Sequence, residues 1–345
     1  MPKPVRVALV GCGFFAANHL HSWTSLAGEG AVELVAVCDL DRGKAEAAAK
    51  SFNVPAVYTD YGAMLQKEKI DLLDIVTQMD SHRPLVERAI AAGIATIVQK
   101  PFAPDWEDAV AMTEAAEKAG IFLAVHENFR FQTPMRRVLE TLQSGAIGTP
   151  NWARISFRTG YDLYRTQPYF YTVDRFIILD LGVHTLDLAR VFLGEVDRVT
   201  AETQRRNPKV RAEDTATVML RHATGAVSVV DFSYESRKLP DPFPQTLLEI
   251  EGAAGAIVVK PGLKMEVTSG GVMREVDLSS PLLSWTSEPW HVAQESVLAT
   301  CRGILSSFVA GKPAWTSAAD NLRTFALAEA AYEAAATGRA VQPRA

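Results

Sequence analysis

Asp180-Leu181-Gly182-Val183-His184-Thr185-Leu186-Asp187 sets an imidazole between two carboxylates in an otherwise apolar run. Asp180 precedes His184 by four residues and Asp187 follows it by three, so a helix through this stretch carries all three on one face. Imidazole takes up a proton near neutral pH, and a neighbouring carboxylate orients the ring and favours its protonated form. Acids on an apolar face call for such a reason, because an uncompensated charge there is costly. The plainer reading is a core histidine satisfied by its surroundings. A second group, Gln99-Lys100-Pro101, directly follows the apolar run at 95–98. A lysine there offers positive charge to an oxygen that becomes negative during a reaction; the plainer reading is a solvated surface lysine. Pro101 restricts Lys100 to extended backbone and is compatible with a cis bond.

Gly11-Cys12-Gly13-Phe14-Phe15-Ala16 closes the apolar run at 5–10. In a strand-to-helix turn of this form the first glycine makes the turn and the second lets the backbone approach a pyrophosphate. A small third residue, here Ala16, lets helix and strand pack closely. The next apolar run ends in Asp39, where a ribose-binding acid belongs. Its carboxylate accepts from ribose hydroxyls and repels a 2′-phosphate, which favours NAD over NADP, while Arg42 is a nearby cation that argues for NADP. The expected cofactor residues are Gly11, Gly13, Phe14, Phe15, Asp39, Arg42, Thr77, His82, Gln99 and Lys100.

Residues 5–10, 32–39, 56–58, 72–76, 95–98 and 121–125 read as strands, with helices at 42–51, 84–92 and 105–119 among them. This alternation implies a doubly wound parallel sheet, whose ligands gather at the carboxyl ends of its strands. From Asn151 alternating runs at 152–159, 199–205, 215–221 and 226–234 follow one another, which predicts a mostly antiparallel sheet with one covered face. Residues 176–193 are the main helical candidate in this half, two late helices are expected at 289–310 and 317–336, and 238–244 is a proline-rich exposed loop. The expected division is a dinucleotide-binding domain at 1–126 and a substrate and oligomerisation domain at 127–345, with a late helix returning to the first.

A chain of 345 residues exceeds one modest core and suits two domains. Lys and Arg number 35 and Asp and Glu 40, a formal net charge of −5 with no basic stripe, so nucleic acid is not an expected partner. Cys12, Cys38 and Cys301 are too few and scattered for a disulfide framework, and suit a reducing cytoplasm. No signal-like or membrane-spanning run is read at the start, and a membrane partner is not expected. His19 and His21 are two apart, and Arg130 stands where a second helical histidine would follow His126-Glu127, so no metal is expected.

Taken in order, the Gly-x-Gly-x-x-Ala turn, Lys100-Pro101, Asn128-Phe129-Arg130-Phe131, Gly145-Ala146-Ile147-Gly148 and the Asp180 to Asp187 motif resemble a known family over nearly the whole chain. It is the glucose-fructose oxidoreductase, inositol dehydrogenase and rhizopine catabolism (Gfo/Idh/MocA) family. The resemblance implies an α/β Rossmann domain followed by an α+β domain with an open, mostly antiparallel sheet that often builds a homodimer or homotetramer. It carries over Lys100, Asp180 and His184 as catalytic residues and places Asn128 near nicotinamide or substrate. Gln99 departs from the glutamate usual before Lys-Pro, and Gln78 stands where proline is common. An amide at 99 keeps hydrogen bonding and withdraws a negative charge from beside Lys100.

On this resemblance the chemistry is NAD-dependent oxidation of a carbohydrate hydroxyl, with His184 as base, Lys100 on the reacting oxygen and Asp180 orienting the imidazole. Tyr161, Tyr164, Arg165, Gln167, Tyr169, Tyr171 and Arg175 lie before the Asp-His motif; aromatic faces meet a sugar's C–H surface and polar tips its hydroxyls. Tyr164, Arg165 and Tyr171 therefore join Lys100, Asn128, Asp180 and His184 as expected substrate residues, against a plainer reading as a packing loop or subunit contact. The tracts at 99–132 and 240–244 resemble family members that oxidise free aldoses at C1 to lactones, a branched pentose such as D-apiose being the named candidate. Inositol dehydrogenation is the main alternative. An NAD-dependent glycosidase with transient redox and a non-catalytic dinucleotide sensor come after it.

Overall fold

The computed structural model describes residues 3–344 and resolves into two compact units. The first takes the described residues of Met1–Asn128 with Ser296–Leu322; the second takes Phe129–Glu295 with those of Arg323–Ala345.

The first unit alternates β1 (Val5–Val10), α1 (Ala16–Gly28), β2 (Val32–Cys38), α2 (Arg42–Phe52), β3 (Ala56–Tyr58), α3 (Tyr61–Lys67), β4 (Leu72–Ile75), α4 (His82–Ala91), β5 (Ala95–Gln99), α5 (Trp106–Ala119) and β6 (Leu123–His126). Its six strands pair in parallel in the order β3-β2-β1-β4-β5-β6. The strands are near-continuous apolar runs because helices cover both faces: Val7, Ala8 and Leu9 of β1 are fully buried. Asp41, Asp60 and Asp105 accept main-chain N–H groups of Lys44, Ala63 and Asp108 and so start α2, α3 and α5. The order reverses between β1 and β4, which opens the ligand crevice at their carboxyl ends, over the glycine turn. Leu20, Trp23 and Leu26 of α1 pack with Val7, Leu9, Leu72 and Ile97. At ~1.5–3 kcal/mol for each fully buried large side chain, this cluster outweighs helix propensity in holding α1 and the turn before it.

A cavity of ≈ 700 Å³ lies against the opposite edge of this sheet, lined among others by Ile70, Ala95, Phe122 and Pro313, away from the glycine turn.

The second unit contains α6 (Thr133–Gln143), β7 (Pro150–Arg158), α7 (Val183–Leu193), β8 (Val196–Gln204), β9 (Thr215–His222), β10 (Val227–Ser233), β11 (Leu247–Gly252), β12 (Gly255–Lys260), β13 (Lys264–Ser269) and β14 (Val272–Asp277). Eight strands run in the order β14-β13-β12-β11-β7-β10-β9-β8, antiparallel except for the parallel pair β7 and β10. Ala216, Val218 and Leu220 of β9 point inward while Thr217, Met219 and Arg221 face out, the alternation of a sheet covered on one side. The sequence marks β7 to β10 but not β11 to β14, whose six-residue strands are joined by turns as short as Gly270-Gly271.

The sequence places a boundary near residue 126 and returns a late helix to the first domain. The chain passes between units after Asn128, Glu295 and Leu322, because α8 (His291–Val309) and α9 (Ala318–Thr337) each contribute to both. The segment joining them extends the edge of β6: Val125 N donates to Thr316 O at 2.8 Å, and Ala124 bridges Ser317.

Candidate active site

Gly11 has φ +91°, and a Cβ there would lie 2.5 Å from Val76 O, so the turn after β1 admits glycine alone. At Gly13 a Cβ would meet nothing within 4 Å, so the fold itself does not demand glycine there. That open space adjoins the first turn of α1, where Phe15 provides no side-chain cap. Bare N–H groups without a covering side chain are what a pyrophosphate needs. Asp39 follows β2, its Oδ2 accepting from Cys12 N at 2.7 Å and its Oδ1 from Asp41 N at 2.8 Å. The carboxylate is thereby tied to the glycine turn. These residues fit the pyrophosphate and ribose of NAD. Phe14 is 63% exposed beside them, and Phe15 packs edge-on to His19 with ring centroids 5.7 Å apart. Arg42 is exposed and lies 3.5 Å from Glu46. Burial, and next the charge of Asp39, pushes the Cys12 thiol up to about 12, so it is no nucleophile at neutral pH.

Thr77 is half-buried after β4, with Ser81 Oγ donating to its Oγ1 at 2.8 Å. His82 was expected among the cofactor contacts. Its ring is fully buried, with Nδ1 3.1 Å from Phe102 O and Nε2 3.2 Å from Thr77 O. It braces the loop after β4 against the loop after β5 and turns no ring nitrogen toward a ligand. Lys100 is half-buried beyond β5, its bond to Pro101 is cis, and its main-chain N donates to Gln99 Oε1 at 2.7 Å.

In the second unit the predicted single helix at 176–193 divides. Residues Ile178–Gly182 form a wider π-turn that leads into α7, so Asp180 and His184 do not share one regular α-helical face. Gly182 permits a close approach to β10: a Cβ would meet Phe232 Cζ at 2.8 Å. Asp180 is half-buried, and its Oδ2 accepts from the Tyr234 hydroxyl at 2.9 Å. Burial, and next the charge of Asp180, pushes the Tyr234 phenol far up, which keeps it a donor. His184 is buried and stacks on Phe129, with centroids 3.9 Å apart and planes within 5°.

Asp187, the other acid of the motif, is fully buried and paired with Arg130, whose Nε lies 2.8 Å from Oδ2; Thr324 Oγ1 donates to Oδ1 at 2.7 Å. Asp187 thus anchors α7, whereas Asp180 is held by Tyr234. Asn128, in the first unit, is buried and its Nδ2 donates to Ser296 Oγ at 2.7 Å, which fastens α8.

The tyrosine-rich loop corrects another expectation. Tyr164 is only 6% exposed, stacks on Tyr171 at 4.7 Å and packs against Phe176, with its hydroxyl 3.4 Å from Glu235. It is a core residue, in one apolar cluster with Leu163, Phe170, Phe176, Val210 and Ala212. Tyr171 is half-buried and Arg165 exposed. Tyr234 is missing from the sequence-derived site; its place at the end of the alternating run at 226–234, one residue beyond β10, is its only signal.

Residues 5–127 match an oxidoreductase family with an NAD-binding Rossmann fold, GFO_IDH_MocA, and residues 135–258 match the GFO/IDH/MocA C-terminal domain. The chain is 48% identical over 337 residues, 98% of its length and 97% of the relative's, to a D-apiose dehydrogenase of Rhizobium rhizogenes. It is 45% identical over 340 residues, 99% of its length and 90% of the relative's, to a D-apiose dehydrogenase of Paraburkholderia graminis. An oxidoreductase from Agrobacterium radiobacter, solved in complex with NAD+, L-tartaric acid and magnesium, has a TM-score of 0.96 and 47% identity, each chain being covered to 98%. With both domains matched in order, this chain belongs to the GFO/IDH/MocA oxidoreductase family and carries its NAD-binding Rossmann fold.

Proposed function

We propose that this chain is an NAD-dependent sugar dehydrogenase that oxidises D-apiose at C1 to the lactone. The observation that carries the reading is the 48% and 45% identity, over almost the whole chain, to two proteins named D-apiose dehydrogenase. Bound NAD supplies the hydride acceptor. His184 takes the proton of the reacting hydroxyl, in a ring plane held by Phe129. Asp180, held by Tyr234, favours the imidazolium that results. Lys100 donates to the reacting oxygen and stabilises its negative charge. Gly11, Gly13, Phe14, Phe15, Asp39 and Thr77 hold the cofactor, and Tyr171 and Arg165 join the catalytic groups at the sugar.

The test is a panel of D-apiose, other free aldoses and myo-inositol with NAD and with NADP, followed by reduced-cofactor absorbance and product mass. The expected result is a kcat/KM highest for D-apiose with NAD and a lactone product. A preference for myo-inositol, or no net cofactor reduction with any sugar, overturns it. Lys100→Met and His184→Ala should each lose turnover by ~10²–10⁴-fold with NAD affinity retained; wild-type turnover in either removes that residue from the mechanism.

We further propose a cytoplasmic homodimer or homotetramer built through the eight-stranded sheet. Cys12, Cys38 and Cys301 are free thiols, which suits a reducing compartment. Among the described residues no helix is long and apolar enough to cross a membrane. Met219 on β9 and Val272 and Met273 on β14 are exposed apolar side chains that association would cover. Light scattering on the purified protein measures the assembly.

A further inference from the structure

Building on Lys100 as the group that meets the reacting oxygen, we propose that Gln99 is a positioning residue, holding the Lys100 main chain through a buried, uncharged relay anchored on Asp74. Asp74 of β4 is fully buried, and its Oδ2 lies 2.8 Å from His19 Nδ1 and 2.6 Å from Trp23 Nε1. His19 Nε2 lies 2.9 Å from Gln99 Nε2, and Gln99 Oε1 lies 2.7 Å from Lys100 N.

The donors and acceptors of this chain have one consistent arrangement. A peptide N–H can only donate, so the amide oxygen of Gln99 faces Lys100 and its NH₂ faces His19. His19 Nε2 must then offer a lone pair, which puts the ring proton on Nδ1, donated to Asp74. His19 is therefore neutral, Asp74 carries the only charge, and each link orients the next.

Both nitrogens of His19 are engaged in this way. His19, His126 and Cys301 bring donor atoms within 4.8 Å of one another, but the bonds to Asp74 and Gln99 organise His19 as a relay rather than a metal ligand. The titratable groups facing the ring are Asp74, His126, whose ring centroid is 4.2 Å away, and Cys301, 3.8 Å from His126 Nε2. Burial pushes the Cys301 thiol far up, so it adds no charge.

A glutamate at 99 would change the relay's charge. Its carboxylate could still accept from Lys100 N–H, but toward His19 it could only accept as well, so the ring would need a second proton. The glutamine thus frees the placement of Lys100 from the protonation of His19.

The test combines kinetics with nitrogen NMR on protein labelled in its seven histidines, the His19 signals being those lost in His19→Gln. In the wild-type protein His19 should show the neutral Nδ1–H tautomer, and in Gln99→Glu the imidazolium. Gln99→Leu should lower kcat by up to ~100-fold with the KM for sugar and the affinity for NAD little changed, since only the reacting group is displaced. Gln99→Glu should also lower kcat with the affinity for NAD little changed, because a carboxylate cannot donate to the His19 lone pair and the neutral contact that fixes the side chain at 99 is lost.

A charged or Nε2-protonated His19 in the wild-type protein overturns the relay. So does wild-type kcat in Gln99→Leu when Lys100→Met is inactive. Full activity in Lys100→Met instead defeats the reading of Lys100 itself, and the tautomer measurement still decides the relay. Should Gln99→Leu fail to fold, the kcat of Gln99→Glu and the His19 tautomer in the wild-type protein carry the decision.

Discussion

The Tyr234 hydroxyl donates to Asp180 Oδ2 over 2.9 Å, and this bond ties the chain just past β10 to the turn that leads into α7. Tyr234→Phe keeps the ring packed on Phe176 and removes only the donor. A hydrogen bond to a charged group contributes ~1.5–3 kcal/mol, so kcat should fall roughly 10- to 100-fold with the sugar KM little changed. Steady-state kinetics beside a thermal melt checks this; an unaltered kcat would detach Asp180 from Tyr234 in the mechanism.

Asp39 accepts from Cys12 N and Asp41 N, which aims its carboxylate from the end of β2 at the glycine turn. Asp39→Ser should weaken NAD and improve NADP relative to it, narrowing the preference by about tenfold or more as the charge facing a 2′-phosphate disappears. Titrating both cofactors against each protein measures the ratio, and an unchanged ratio would assign the discrimination elsewhere.

Arg130 and Asp187 form a nearly water-free ion pair, 2% and 0% exposed. Arg130→Met leaves the buried Asp187 carboxylate with only the more distant Arg190, 3.8 Å from Oδ1, and should cost up to about 3–5 kcal/mol of stability. Arg130→Met combined with Asp187→Leu should recover much of that loss, because the apolar pair has no charge to desolvate. Urea unfolding of the two variants decides it; equal losses would show that the pair's value lies elsewhere.

Burial lowers the His82 pKa from its ordinary 6.5, more than its bonds to Phe102 O and Thr77 O raise it. The unfolded chain then binds a proton that the folded protein refuses. The stability from this site is complete above about pH 6.5 and declines as pH falls toward the folded pKa. His222 is shifted the same way by burial. The melting temperature should therefore drop between pH 7 and pH 5, and His82→Gln should flatten the drop while melting lower at pH 7. A variant with an equally steep pH dependence would rule His82 out as its source.

By itself the sequence determined the first sheet, because strands covered on both faces are written as unbroken apolar runs such as 5–10, and the turn after β1 is legible since only glycine fits at Gly11. It likewise determined which residue types are available: Lys100, Asp180, His184 and Asp39 stand in local motifs whose spacing limits what they can do. Tertiary structure alone decided how their partners divide. Asp187 proved to belong to Arg130, 57 residues away, and Asp180 to Tyr234, 54 residues away. Tyr164 turned inward because side chains distant in sequence, Val210 and Ala212 among them, complete its apolar cluster. The His19 and Gln99 contact spans 80 residues and exists only because α1 packs across the strands that carry Asp74 and Gln99. Local spacing encodes backbone conformation, whereas the choice of hydrogen-bond and ion-pair partner is made where distant segments are buried together and each polar group must be satisfied.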